Sequence, residues 1–241
     1  MHFMASPNIF SKIMEALIPW IRVIFVFSGT LGLIFALFIS PPDYQQGDSV
    51  RIMYIHVPSA WMALFAYAMI ALGSLSFLVW RHPVGSLIAK ASAPVGAVFT
   101  ILCLVTGMIW GKPMWGTYWV WDARLTSMLI LLFLFIGYML IGNAFENQNH
   151  GNKVASIFAL AGSINLPIIK FSVDWWNTLH QPSIFSMEGI SVSNEMLTPL
   201  FLMAICFQSY YLLIVSMNIK KQIAIIKINN HMILSISKKE K

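Results

Sequence analysis

Apolar residues in this chain come in long blocks. Uninterrupted runs occupy roughly 20–39, 59–80, 91–110, 125–145, 154–169 and 196–218, each close to the roughly 20 residues a helix needs to cross about 30 Å of hydrocarbon. Only the first run contains an interior charge, Arg22, near one end, where a long side chain reaches the headgroups. In lipid every backbone amide must find its partner within its own segment, so such blocks are read as helices. The pattern predicts an all-α membrane protein, a bundle of six transmembrane helices. Residues 1–241 form a single integral membrane domain with a basic tail at about 219–241. No internal repeat and no low-complexity stretch interrupts it.

Composition agrees with the pattern. The 241 residues are 58% hydrophobic and only 10% charged, whereas soluble domains run at about 45–50% apolar. The net charge of +6 follows topology and does not indicate nucleic acid. Lys12, Arg22, Arg81, Lys90, Lys153, Lys220, Lys221, Lys227, Lys238, Lys239 and Lys241 all fall on one set of alternate loops and termini, 11 of the 15 basic residues. The other set holds Arg51, Lys112, Arg124 and Lys170 with Asp43, Asp48, Asp122, Asp174, Glu188 and Glu195. Basic loops stay inside, so both termini are expected to be cytoplasmic, with the tail against anionic lipid headgroups. The first run is longer than the apolar region of a signal peptide and is followed by Pro41-Pro42 rather than a cleavage pattern, so it is kept as a span. Cys103 and Cys206 lie singly in apolar runs and read as small buried hydrophobes. The 15 methionines are spread through the spans as packing filler. Asn165 before Pro167, Pro94 with Gly96, and Thr198 before Pro199 read as helix kinks.

The outer loops, 40–58, 111–124 and 170–195, concentrate the proline, tryptophan and acidic residues. In the second, "WGTYWVWDAR" sets Trp115, Tyr118, Trp119 and Trp121 beside Asp122 and Arg124, with Gly116 permitting a turn. An interfacial aromatic belt accounts for any one of these rings. As a consecutive group in one loop they suit a large flat ligand with charged edges. Haem has that shape, with a face to stack on rings and two propionates for a cation such as Arg124. Asp122 either pairs with Arg124, accepts a hydrogen bond from a ligand histidine, or caps the helix that begins near Ala123.

Iron needs axial ligands. Of six histidines, His2, His82, His150 and His231 fall on the inner side or the termini. His56, in "RIMYIHVPSAW", and His180, in "DWWNTLHQPSIF", fall on the outer side, with Pro58 and Pro182 each two residues on. His56 is placed just before the second span, so that no histidine lies inside one. A lone interfacial histidine is commonly structural. Two beside the tryptophan loop favour a bis-histidine haem site. Lys170 and Asp174, four apart, either extend the fifth helix or reach a propionate, and the first is preferred.

These stretches resemble a known family. "WGTYWVWDAR" looks like the WWD signature of haem-handling proteins. Together with "MYIHVPSAWMA" and "WWNTLHQ", it makes the chain similar, from the first span through Asn218, to the haem exporter protein C (CcmC) family of system I cytochrome c maturation. Longer WWD relatives have more spans. The resemblance implies an inner-membrane protein that holds haem b as cargo on the periplasmic face and delivers it to the haem chaperone CcmE. CcmA and CcmB, subunits of an ABC transporter that supply the ATPase activity, and the small protein CcmD are the implied partners. By match, His56 and His180 are the axial ligands, and Trp115, Gly116, Trp119, Trp121 and Asp122 the signature positions.

A haem-presenting scaffold, not an enzyme, is therefore expected. A b-type cytochrome that passes electrons across the membrane would place paired histidines inside the spans. A haem transporter or channel would show ionisable residues or broken helices near the midplane.

Overall fold

A computed structural model describes residues 7–181, 184–186 and 189–239; His2, Pro182, Glu188 and Lys241 lie outside the described residues. Helix α1 spans Pro7–Ile34, and a π-helical turn, Phe35–Ile39, continues it. A 3-10 turn, Asp48–Ile52, leads into α2 at Met53–Trp80, followed by α3 at Pro83–Trp115 and α4 at Ala123–Asn143. Helices α5, Gln148–Gly162, and α6, Asn165–Trp175, together make the fifth crossing. A hairpin of strands β1, Phe185–Ser186, and β2, Gly189–Ile190, precedes α7, Asn194–Lys239. Six crossings put both ends of the chain on one side, so the protein is an all-α, six-span membrane protein as the apolar blocks predict.

Three boundaries differ from the sequence reading. Helices run past the apolar windows because their ends carry polar and aromatic residues suited to headgroups. The 33 residues of α3 extend about 50 Å against about 30 Å of hydrocarbon, which lifts Trp110 to Trp115 into the interface. The second helix starts at Met53, so His56 lies on it and Pro58 inside it. The helix absorbs the one amide bond that Pro58 removes. The fifth crossing is broken. Backbone bonds tighten there to three-residue spacing, Ile164 N–H to the Ala161 carbonyl and Leu166 N–H to that of Ser163, while the Ser163 hydroxyl donates to the Leu160 carbonyl at 2.6 Å and the Asn165 amide to the Ser127 carbonyl at 2.9 Å. Lys170 and Asp174 both lie on α6, which extends that crossing to Trp175.

The centre of the bundle is rich in small residues. Ala63, Ala66, Ala89, Ala93 and Ala159 are buried among Tyr67, Ile70, Leu131 and Phe135. Helices without a hydrophobic drive between them gain from such close van der Waals contact. In the α2–α3 hairpin, a Cβ on Gly73 would stand 2.6 Å from the Gly85 carbonyl oxygen, and one on Gly85 would stand 2.7 Å from that of Gly73. The two backbones touch there. A second buried cluster, Ala36, Val50, Met53, Tyr54, Met196, Leu200 and Met203, lies under the loops at the other end of α2. Ser40 and Tyr54 share a hydrogen bond beside it, and Arg51 Nη1 donates to the Ala36 carbonyl at 2.6 Å, fixing the first outer loop to α2.

Replacing Gly85 by Val is expected to destabilise the bundle by about 1–3 kcal/mol, the usual cost of overpacking. The loss of folded monomer on heating in detergent measures it.

Candidate functional site

His56 projects from the first turns of α2 and is 8% exposed. Its Nδ1 lies 3.0 Å from the Cys103 carbonyl and 3.1 Å from the Thr106 hydroxyl, both on α3. The Thr106 hydroxyl donates its own hydrogen to the Leu102 carbonyl at 2.7 Å. Both groups therefore face Nδ1 as acceptors. Nδ1 carries the proton, and Nε2 keeps its lone pair. The ring rests on Gly107, where a Cβ would stand 3.0 Å from His56 Cε1. Trp110 meets it edge-on at 5.6 Å and 75°. The Trp110 indole N–H donates to Gln46 Oε1 at 2.9 Å, tying α3 to the first outer loop.

His180 follows α6 on a segment without helical bonds. Its Nδ1 lies 3.0 Å from the Gln181 carbonyl, again an acceptor only, so its Nε2 is free as well. Burial first, and the Arg124 guanidinium second, hold the His180 imidazole below its ordinary pKa, so it is neutral at pH 7. The two imidazole centroids are 6.3 Å apart and the rings are inclined by 33°. A metal–imidazole bond is about 2 Å, and with the ring radii added, two imidazoles on one metal have centroids roughly 6 Å apart. Trp115 flanks His180 at 6.1 Å.

A cavity of about 750 Å³ opens beside this pair. Of the residues singled out in the sequence, His56, His180, Trp115, Trp119 and Arg124 line it, together with Lys170. Gly116, Tyr118, Trp121 and Asp122 do not. Gly116, at φ 75°, ends α3 in the left-handed conformation that glycine adopts without strain. It turns the chain so that Tyr118 (54% exposed) and Trp121 (77%) face outward. Lys112 sits over the Tyr118 ring at 5.2 Å, and Trp121 packs edge-on against Trp119 at 5.4 Å. The Trp119 indole N–H is buried without a hydrogen-bond partner.

Arg124 and Asp122 are not paired with each other; among the described residues the side-chain ion pairs are Arg51–Asp48 and Lys220–Glu15. Each is engaged elsewhere. Arg124 donates to the Ser172 hydroxyl and to the Lys170 carbonyl, both at 3.2 Å, which joins α4 to α6. Asp122 caps α4, its Oδ1 accepting from the Leu125 amide at 2.7 Å, and its Oδ2 takes the Thr178 hydroxyl. Asp122 accepts no bond from a histidine ring, one of the roles left open for it; the Thr178 oxygen accepts from the His180 main-chain amide at 3.0 Å.

The sequence reading missed several parts of this site. Residues 41–46, 191–193, 195 and 196 also line the cavity. Thr106 and Gly107 lie inside an apolar run, where only their polarity and smallness mark them. Thr178 stood in view in "WWNTLHQ" but carried no signal of its partner.

Comparisons with known proteins show the family of the chain. The model of the CcmC family, "Heme exporter protein C", matches residues 1–233. A Heme exporter protein C of Bradyrhizobium diazoefficiens is 49% identical over 205 residues, covering 85% of this chain and 78% of the relative. That of Escherichia coli K12 is 47% identical over 190 residues, 79% of this chain and 78% of the relative. A putative cytochrome c biosynthesis ccmC-like mitochondrial protein of Marchantia polymorpha is 50% identical over 187 residues, 78% of each. The chain belongs to the heme exporter protein C family.

Proposed function

We propose that this protein grips haem b as cargo between His56 and His180 on the periplasmic face of a bacterial inner membrane and hands it to the chaperone CcmE. Its family ties it to haem handling in cytochrome c maturation as a membrane component of the Ccm export system. CcmA, CcmB and CcmD are the proposed companions, with ATP hydrolysis supplied by the ABC subunits. Both termini lie in the cytoplasm on this reading, because the basic loops share their side.

The imidazole pair carries the proposal. Two free Nε2 atoms at a ring separation of 6.3 Å offer two ligands. Among the described residues no group of three or more His, Cys, Asp and Glu stands ready to complete a bare ion's shell. A metal that brings four equatorial nitrogens of its own needs two. The cavity volume is in the range of sites for large organic ligands, about 300–1,000 Å³, and its walls suit a porphyrin. Trp115 and Trp119 provide ring faces. Arg124, with two of its five N–H donors committed, Lys170 and the unpaired Trp119 indole offer donors for propionates. The remaining described histidines, His82, His150 and His231, lie at the opposite end of the bundle. A single pair at one surface leaves no electron route across about 30 Å of hydrocarbon. A presenting site must also let go, so the chaperone and the release step supply the differential affinity that moves the haem.

In membranes containing the partners, His56→Ala and His180→Ala are each expected to abolish the low-spin two-imidazole haem spectrum and covalent loading of the chaperone. A double variant with an unchanged spectrum overturns the ligand assignment. Gly107→Leu drives a side chain into the space of the His56 ring, and a loss of haem affinity of roughly tenfold is expected in titrations. Gly107→Ala needs a shift of only tenths of an ångström and keeps most of it. For topology, Tyr118→Cys is expected to react with a membrane-impermeant maleimide added from the periplasmic side; labelling from the cytoplasmic side alone overturns the orientation.

A further inference from the structure

We propose that Thr178 is a positioning residue through which Asp122 sets the place of His180. The inference rests on the haem-site reading and adds a role for two residues that touch neither the cavity nor its contents. Asp122 sits outside the cavity lining, and its two carboxylate oxygens are separately employed. Oδ1 caps α4 through the Leu125 amide at 2.7 Å. Oδ2 accepts from the Thr178 hydroxyl. A threonine hydroxyl has one hydrogen and two lone pairs. Here a carboxylate, which only accepts, faces it on one side, and the His180 amide, which only donates, faces it at 3.0 Å on the other.

The direction of the chain is thereby fixed: His180 N–H to Thr178 Oγ1, and Thr178 O–H to Asp122 Oδ2. Bonds aligned head to tail polarise one another. The segment they hold needs them. Helix α6 ends at Trp175, Trp176 is extended at φ −132° and ψ 150°, and residues 177–181 make no backbone–backbone hydrogen bond to another described residue. The threonine thus joins the ligand-bearing loop to the first turn of α4. The first turn of α4 and the His180 loop share one carboxylate, although Asp122 and His180 lie 58 positions apart in sequence.

The test compares the full-length parent with Thr178→Val, which keeps the shape and deletes the oxygen, and Thr178→Ser, which restores it. Haem b is titrated into the protein in nanodiscs, and amide hydrogen exchange is followed without haem. For Thr178→Val, haem affinity is expected to fall roughly tenfold, in line with other groups that orient metal ligands. Its spectrum is expected to gain a high-spin component that imidazole in solution reverses. His180 amide exchange should accelerate while the Leu125 amide stays protected. Thr178→Ser should match the parent in all four respects. Thr178→Ala repeats the comparison where the second valine methyl group hinders accumulation, with the same expectation. A parent with the two-imidazole spectrum whose Val and Ala variants keep both that spectrum and slow His180 exchange overturns the positioning role alone. A parent without that spectrum overturns the haem site itself.

Discussion

Two main-chain carbonyls, those of Cys103 and Gln181, decide which nitrogen of each imidazole is left over. Each occupies Nδ1 as an acceptor, so both rings are locked in the tautomer that leaves Nε2 bare. Everything else around the pair keeps those rings in place at little cost in buried polarity. Thr106 spends its hydrogen on its own helix and lends its oxygen to His56. Gly107 gives up a side chain so that the ring lies against α3. Trp110 closes the edge of the ring while its indole N–H reaches Gln46. Leaving a buried donor unmade costs about 1–3 kcal/mol, and around the two rings the polar groups are matched. The Trp119 indole N–H is the exception, and it lies in a residue of the cavity wall.

Length and smallness explain how a membrane bundle presents such a site at its surface. Helix α3 is longer than the hydrocarbon it crosses, so its last turns carry Trp110, Lys112 and Trp115 to the level of the headgroups, where polar partners are available. Alanines and the touching glycines of the α2–α3 hairpin hold these helices close through the membrane. Two helices of the tightest pair then supply opposite sides of the His56 environment: α2 bears the ring, and α3 bears the carbonyl and the glycine that seat it.

Much of this was legible in the residues, and the reasons for the rest are physical. Six crossings followed from six apolar blocks because the bilayer admits few alternatives. Their ends did not, since Trp, Lys and Ser at helix termini look like loop residues to a hydropathy window. Capping was one of three roles that its place before an apolar run left open for Asp122, and its Oδ1 does cap α4. Its second oxygen, bound to Thr178, is a contact between segments far apart in the chain, for which no local pattern exists. The aromatic cluster was visible as a group, but which rings face inward was not. From Gly116 to Asp122 the chain has no helical or strand period to sort them; Trp115 and Trp119 turn to the cavity while Tyr118 and Trp121 turn away. Asn165 and Pro167 were read as a kink, and the fifth crossing is interrupted there; the bond from the Asn165 amide to the Ser127 carbonyl of α4 is a tertiary contact that no local pattern announces.

The two sides of the imidazole pair differ in how they are held. His56 is carried by a helix packed into the core, and its Nδ1 is held from the neighbouring helix. His180 lies on the loop beyond α6; its Nδ1 contact is to the very next residue, its amide is tied to α4 through the Thr178 hydroxyl, and its ring lies beside Trp115. The two imidazoles are thus seated by unlike means: one by the meeting of two core helices, the other by a relay of side chains that begins at the cap of a third.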